Sequence, residues 1–351
     1  MATQTTKSGA VTLLDWAKAL DPSGKVATVA ELLAQSNEIL LDMPMIEGNL
    51  PTGHRGSIRT GLPTAIWRKM YQGVPASKSL RATVEDSVGM LETRAEVDKD
   101  LADLNGNTAA FRLSEAQAFL EAMNQTMAET LVYGDASVNP ERFNGLAVRY
   151  NTVNTSTSEV AKNVIDAGGS SSDNTSVWLV CWGQNTVTGI FPKGSQAGLY
   201  HQDLGEYDAF DGNGNRYRAY GDRWQWKCGL HVKDWRYVVR IANIDVSDLL
   251  AQTGTQANTA ATWLPKLMVK ALARIPFRGM GNAVFYANRT VKEMLSVGAL
   301  DKSQYVLSIQ DAMQQYGKVE PGFVGPTGTV NVMGVPVRTV DRILETETAL
   351  T

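Results

Sequence analysis

Cysteine and histidine are scarce in this chain. Two cysteines, Cys181 and Cys228, and three histidines, His54, His201 and His231, are spread over 351 residues. Each histidine stands alone in sequence, and no Cys-x-x-Cys, His-Glu-x-x-His or Walker pattern occurs, so zinc and phosphate-loop chemistry lack support. Both cysteines lie in apolar, strand-like runs and read as buried thiols rather than a disulfide. A Gly-x-Ser-x-Gly elbow is missing. Gly279-Met280-Gly281 leads into a strand instead of linking strand to helix, which excludes a dinucleotide fingerprint. The sequence therefore assigns no catalytic, cofactor-binding or metal residue.

A basic surplus is also lacking. The net charge is −3 and the pI about 5.7, whereas a protein that grips nucleic acid through its phosphates normally carries excess Lys and Arg. No run approaches the ~18–20 apolar residues of a membrane span. The N-terminal MATQTTKSGA has no apolar core of signal-peptide length. The expectation is a soluble chain, cytoplasmic at synthesis and without a membrane partner. Hydrophobic content of 43% and charged content of 20% are those of a folded protein, long enough for two to three domains.

What is present is a conspicuous stretch, Met45 to Val84. It holds five glycines, three prolines and six Lys/Arg (Arg55, Arg59, Arg68, Lys69, Lys78, Arg81) against one acid, Glu47. Irregular segments longer than about 12–15 residues are rare in compact domains and usually functional. Strand-like TAIWRKMY and KSLRATV flank a turn-rich GVPAS, which predicts an arm or hairpin projecting from a body. Residues 85–104 then reverse sign: seven acids (Glu85, Asp86, Glu92, Glu96, Asp98, Asp100, Asp103) face Arg94 and Lys99. A basic, half-apolar arm beside an acidic run predicts a protein–protein contact, with Trp67 and the six cations on one side and the seven acids on the other.

Elsewhere, residues 12–20 and 29–42 read as helices, the second opened by a Thr28/Glu31 capping box. Residues 115–133 form the clearest helix, with Ser114 as cap and Gly134 just past its end. Ala116, Phe119, Leu120, Met123, Met127 and Leu131 make one apolar stripe, read as core packing. Short strands are expected at 177–182, 186–191, 216–220 and 223–228, a long β-rich run at 234–244, and a strand at 282–287. Helices follow at 262–274, with Pro265 in the first turn, and at 289–297; the chain closes on a β-rich TVNVMGVPVRTV. The class is α+β.

Asp211-Gly212-Asn213-Gly214-Asn215 resembles the start of a calcium loop. Arg216 stands where an EF-hand needs glycine and Asp222 where it needs glutamate, so a tight turn is the better reading. Trp178, Trp182, Trp224 and Trp226 suggest stacking on a sugar, but on alternating strands they read as packing. A glycosidase would need two carboxylates ~5–9.5 Å apart; Asp203, Glu206, Asp208 and Asp211 are the candidates, in a segment that reads as a turn-rich loop.

The order of elements is similar to that of a known family. An N-terminal arm, a long protruding loop, an acidic stretch and a long amphipathic helix precede Asn-Pro-Glu-Arg-Phe-Asn-Gly-Leu (Asn139 to Leu146). The chain ends with Gly334-Val335-Pro336-Val337-Arg338, Asp341 and Ile343-Leu344. This arrangement resembles the major capsid proteins of tailed bacteriophages with the Hong Kong 97-like fold. Trp226 to Asp245 is similar to a podovirus-like branch of that group.

The resemblance implies a head protein that self-assembles into pentamers and hexamers of an icosahedral shell around double-stranded DNA, without sequence-specific DNA binding. It implies an N-terminal arm (1–44) and an extended loop (45–84) lying over a neighbouring subunit. A peripheral domain (85–138 with 230–274 and 334–351) would carry the helix as its spine, and an axial domain would comprise 139–229 and 275–333. Portal and a separate scaffold or decoration protein are the implied partners, since no scaffold-like prefix precedes the arm. A covalent Lys–Asn cross-link, known in part of the family, is not assigned, because no arm lysine has an identifiable partner; Lys69 and Lys78 are candidates by composition only. An encapsulin-like compartment shell is an alternative with the same fold; a carbohydrate-binding or hydrolytic protein using 177–228 is another.

Overall fold

The computed structural model describes residues 35–106, 108–211, 213–250, 259–300, 307–310 and 329–351. The expected helix at 12–20 and the Thr28/Glu31 box lie outside these residues. Of the expected helix 29–42, only Ile39–Asp42 is helical among the described residues.

Compactness divides the chain into two units: one contains 90–127 and 198–227, the other 36–89, 128–197 and 228–351. The larger unit is built around β6 (Asn174–Trp182), every residue of which is buried. The strand lies between two antiparallel neighbours, β10 (Val238–Asp245) and β11 (Asn282–Ala287). Val177, Leu179 and Cys181 join Val239, Ile241, Phe285 and the buried faces of α2 (Thr259–Arg274) and α3 (Arg289–Leu300) in one core. Trp178 and Trp182 belong to the alternate positions, and Trp178 meets Tyr150 edge-on at 6.1 Å. A strand buried on both faces reads as a continuous apolar run rather than an alternating one, as VWLVCW does.

The sheet continues from β11 through β14 (Val335–Thr339) to β13 (Thr329–Val332) and β12 (Leu307–Gln310). Met333 and Gly334, both at positive φ, make the turn between β13 and β14, the geometry of a two-residue hairpin. On the other side β7 (Val187–Phe191) pairs with β1 (Met45–Glu47) and with the end of β9 (Arg216–Val232). The short β5 (Val164–Asp166) pairs with β10.

The C-terminal tail is fastened into this unit. Glu347 N–H donates to the Asn174 carbonyl at 2.8 Å. Asn243, at φ 59° in the β10 bulge, exchanges two hydrogen bonds with the Leu350 backbone; Asn tolerates the left-handed region better than most residues. The buried Glu347 carboxylate accepts from Arg240 at 2.8 Å, from Tyr133 at 2.5 Å and from Ser176.

In the smaller unit β9 pairs with β8 (Leu199–Phe210) and with β4 (Gly89–Asp98). Ala95, Ala116, Met123 and Trp224 form its core, with Phe119 and Leu120 packed alongside. The long helix α1 (Thr108–Tyr133) contributes to both units. It begins seven residues before the expected start, so Ser114 is inside the helix and caps nothing. Gly134 does end it: its N–H donates to the Thr130 carbonyl, and a Cβ there would stand 2.4 Å from the Phe143 carbonyl oxygen.

Three further expectations need correction. The strands read at 216–220 and 223–228 are one strand, β9, continuous through Gly221. The acid-bearing segment around Asp203 to Asp208 is strand β8, because its backbone pairs along β9 and its acids meet cations. Pro265 sits in the second turn of α2 rather than the first. The Asp211–Asn215 segment is the hairpin turn between β8 and β9, closed by Asp211 N–H to the Asn215 carbonyl and by Asn213 N–H to Asp211 Oδ1.

Candidate functional site: the arm and its root

Two strands make the arm, β2 (Gly53–Gly61) and β3 (Leu80–Ser87), paired antiparallel with each other and with no other strand among the described residues. Residues 62–79, at the tip, contain only a hydrogen-bonded turn near Tyr71. TAIWRKMY is therefore not a strand. The φ of +63° at Tyr71 and the bond from Gln72 N–H to the Lys69 carbonyl make a turn at its end instead. The tip's large side chains are bare: Trp67 and Tyr71 are fully exposed, Met70 is 88% and Leu62 81% exposed. Isolated apolar side chains on a surface are ordinary; a group of them on one projecting segment marks an interaction site.

Arg59, Arg68, Lys69, Lys78 and Arg81 are exposed and have no ion pair among the described residues. Arg59 and Arg81 lie directly opposite each other in the ladder, an arrangement that like charges disfavour until an anion joins them. Arg59 also lines a cleft of ≈520 Å³ that runs along β2 past Asn185, Lys233 and Arg236. Arg55 differs: its guanidinium pairs with Glu85 directly across the ladder, at 2.7 Å.

The acidic run is occupied largely within its own chain. Glu85 and Asp86 belong to β3, so they are part of the arm. Glu92 accepts from Arg223 at 2.7 Å, and that contact, with Gln225, holds its carboxyl down to about 2. Glu96 accepts from Tyr207 at 2.7 Å and Tyr217 at 2.5 Å; burial and then this bond push the Tyr207 hydroxyl up to about 12. Asp98 caps the helical turn Lys99–Ala102, and Asp103 accepts from Thr108. Asp100 alone among the seven has an exposed side chain with no partner among the described residues.

Where the arm meets the body, sequence reasoning missed a buried network. Asp86 is 5% exposed. Its Oδ1 accepts from Arg149 at 2.6 Å, and its Oδ2 accepts from His231 Nδ1 at 2.7 Å and from Val232 N–H at 3.3 Å. Burial raises the Asp86 pKa, but the His231 bond and the Arg149 charge outweigh it and hold the carboxyl below its ordinary value. Across the ladder from Asp86, His54 sets its ring 4.6 Å from that of His231. No local motif announces these four residues; they are 145 positions apart at the extremes of one hydrogen bond.

The segments that suggested other chemistry are absorbed into packing. Trp178, Trp182 and Trp224 are buried, and Trp224 is stacked between Phe119 and His201. Asp203 pairs with Arg112, Glu206 with Lys99, and Asp208 with Arg218, so these acids do not form a free carboxylate pair. Both cysteines are buried thiols. Among the described residues no group of three His, Cys, Asp or Glu side chains converges, and no helix is long and apolar enough to cross a membrane.

Comparison with known proteins places this geometry. The family described as major capsid protein GP7 matches residues 21–351. No protein of curated function matches the chain in sequence. Among solved structures, that of bacteriophage Epsilon15 is 32% identical, with a TM-score of 0.72 over 97% of this chain and 98% of that one. The capsid of bacteriophage JBD30 is 11% identical, with a TM-score of 0.46 over 92% and 99% of the two chains. A native GTA particle capsid gives 9% and 0.46 over 64% and 95%. The α+β architecture is the Hong Kong 97-like fold that the sequence resemblance implied. The chain belongs to the GP7 family of major capsid proteins, which build the capsomers of the tailed-bacteriophage virion shell.

Proposed function

We propose that the β2–β3 arm clasps a neighbouring subunit, with its bare tip supplying apolar contact and its unpaired cations supplying register, in pentamers and hexamers of an icosahedral shell. The observation that carries this reading is the tip itself. Trp67, Met70, Tyr71 and Leu62 have no cover among the described residues, and burying a large apolar side chain is worth about 1.5–3 kcal/mol. A contact of that size, repeated around a closed lattice, favours assembly without a dedicated interface domain.

The charge contribution is narrower than the sequence suggested. Most acids of the 85–103 run have partners at home, so a neighbour's Asp100 is the member of that run left to meet Arg59, Arg68, Lys69, Lys78 or Arg81. Screening over ~8 Å at physiological salt leaves such pairs weak and adjustable. The division into peripheral and axial domains is part of the same proposal. So are enclosure of double-stranded DNA by a wall of low net charge, attachment to a portal, and use of a separate scaffold or decoration protein. In this role the chain is a building block and carries out no catalysis. The match to a phage capsid family over 21–351 favours it over a compartment shell or a sugar-binding protein.

The test is a double substitution at the tip, Trp67→Ser with Tyr71→Ser. Both side chains are exposed, so the subunit's melting temperature should stay within about 1–2 °C of wild type, while sedimentation shows loss of shells and capsomers. Shells forming at wild-type yield would refute the clasp.

A further inference from the structure

We infer that the His54–His231 pair is a proton-sensitive fastening between the arm and the body: taking up a proton at His54 loosens it, so the arm is held at neutral pH and freed in mildly acidic medium. The inference concerns the subunit alone and does not depend on the clasp reading.

Asp86 and His54 are cross-strand neighbours at the root of the arm. Asp86 is a carboxylate and can only accept, so His231 Nδ1 carries the hydrogen between them. Both Asp86 oxygens are thereby used, one by Arg149 and the other by His231 and Val232 N–H. Arg149 also donates to the Leu230 and Asn144 carbonyls. The arm is thus joined to strand β9 and to the helical turn Leu146–Arg149 through one aspartate.

Two of the three remaining ring nitrogens at this site are unsatisfied. His231 Nε2 and His54 Nδ1 are both buried without a hydrogen-bond partner. Gly56, two residues on in β2, lies so close that a Cβ there would stand 3.1 Å from His231 Cε1 and Nε2.

The charges facing His54 are unequal. Strand β9 presents His231, the position just past it presents Lys233, and β3 presents Asp86, whose other oxygen is held by Arg149 of the helical turn. The one carboxylate already accepts from three donors, so a proton added to His54 finds a second imidazole and the Lys233 charge. Burial first, then His231 and Lys233, push the His54 pKa below its ordinary 6.5, with Asp86 opposing in part. The sign follows. The fastened arm prefers neutral His54, whereas a released arm exposes it to water and restores ordinary proton affinity. Fastening is therefore strongest above about pH 6.5 and weakens as the pH falls below it.

Hydrogen exchange of the unassembled full-length subunit at pH 7.5 and 5.5, corrected for intrinsic exchange rates, tests this. Amides of 53–58 and 82–88 should open at least about threefold more at pH 5.5, with those of β6 unchanged. His54→Phe, which keeps an aromatic ring against His231, and His54→Gln should each remove that increase. An arm root whose exchange is the same at both pH values in wild type would overturn the inference whatever the variants do. A folded His54 variant that retains the wild-type increase would overturn it equally.

Discussion

Replacing Glu347 by glutamine probes the tightest point of the fold. Arg240 is 4% exposed. It lies 4.9 Å over the Trp178 ring, donates to the Tyr150 carbonyl at 2.9 Å and to Ser176 Oγ at 3.0 Å, and has Glu347 as its one carboxylate partner. Breaking a buried ion pair by removing one member costs about 3–5 kcal/mol, because the other charge stays buried and uncompensated. Glutamine preserves shape and one acceptor oxygen, which places Glu347→Gln near the lower end, at roughly 3 kcal/mol. For a domain of this size each kcal/mol moves the melting temperature by about 2–4 °C, giving a loss of roughly 6–12 °C. The assay is thermal unfolding of the unassembled subunit followed by circular dichroism and tryptophan fluorescence. Carboxypeptidase digestion should in parallel release the tail faster, since Glu347 and Asn243 hold it. Adding Arg240→Met should recover part of the loss, because the orphaned charge is gone. A single variant melting within about 2 °C of wild type would show that this pair does not hold the tail, and would refute the reasoning.

Two further outcomes follow from the same geometry. Glu92 has its carboxyl held down to about 2 from an ordinary 4.5 by Arg223. A depressed carboxylate stabilises the folded state above its ordinary value and loses that contribution as pH falls towards the folded one. Wild type should thus lose more stability between pH 4.5 and 2 than Glu92→Gln does, and parallel acid-unfolding curves would contradict this. Gly134→Ala should destabilise the subunit by about 1–3 kcal/mol through overpacking against the Phe143 and Thr130 carbonyl oxygens, read as a lower urea midpoint with unchanged slope.

Much of the fold is legible in the sequence, and the failures have physical causes. The long helix announces itself because Ala116, Met123, Met127 and Leu131 recur at helical spacing and are all buried. Its start was misplaced because Ser114 and Gln117 imitate a capping box within a helix that had already begun. Strand β6 was legible because a strand covered on both faces has no polar alternation to obscure it. Strand β8 was not: LYHQDLGEYDAF carries Asp, Glu and Gly, which strands disfavour. Pairing with β9 and neutralisation by Lys99, Arg112 and Arg218 offset that preference, and Lys99 and Arg112 lie about a hundred positions away in sequence. The arm was visible as a stretch without a home, but its root was not. The Asp86–His231 and Arg240–Glu347 contacts join residues more than a hundred positions apart, and nothing local marks either member. Charge counting also misled. Seven acids close in sequence look like one surface, yet the fold gives six of them partners, Asp98 and Asp103 within a few residues and the others across strands.

Deleting residues 62–79 and joining Gly61 to Leu80 through a two-residue turn tests the central claim most directly. Those two residues already face each other across the ladder, and the deletion leaves the Asp86 network untouched. The shortened chain should fold with the circular dichroism and melting behaviour of wild type and remain unassembled by sedimentation and negative-stain microscopy, while wild type forms closed shells. Closed shells of normal size from the shortened chain would contradict the account of the arm.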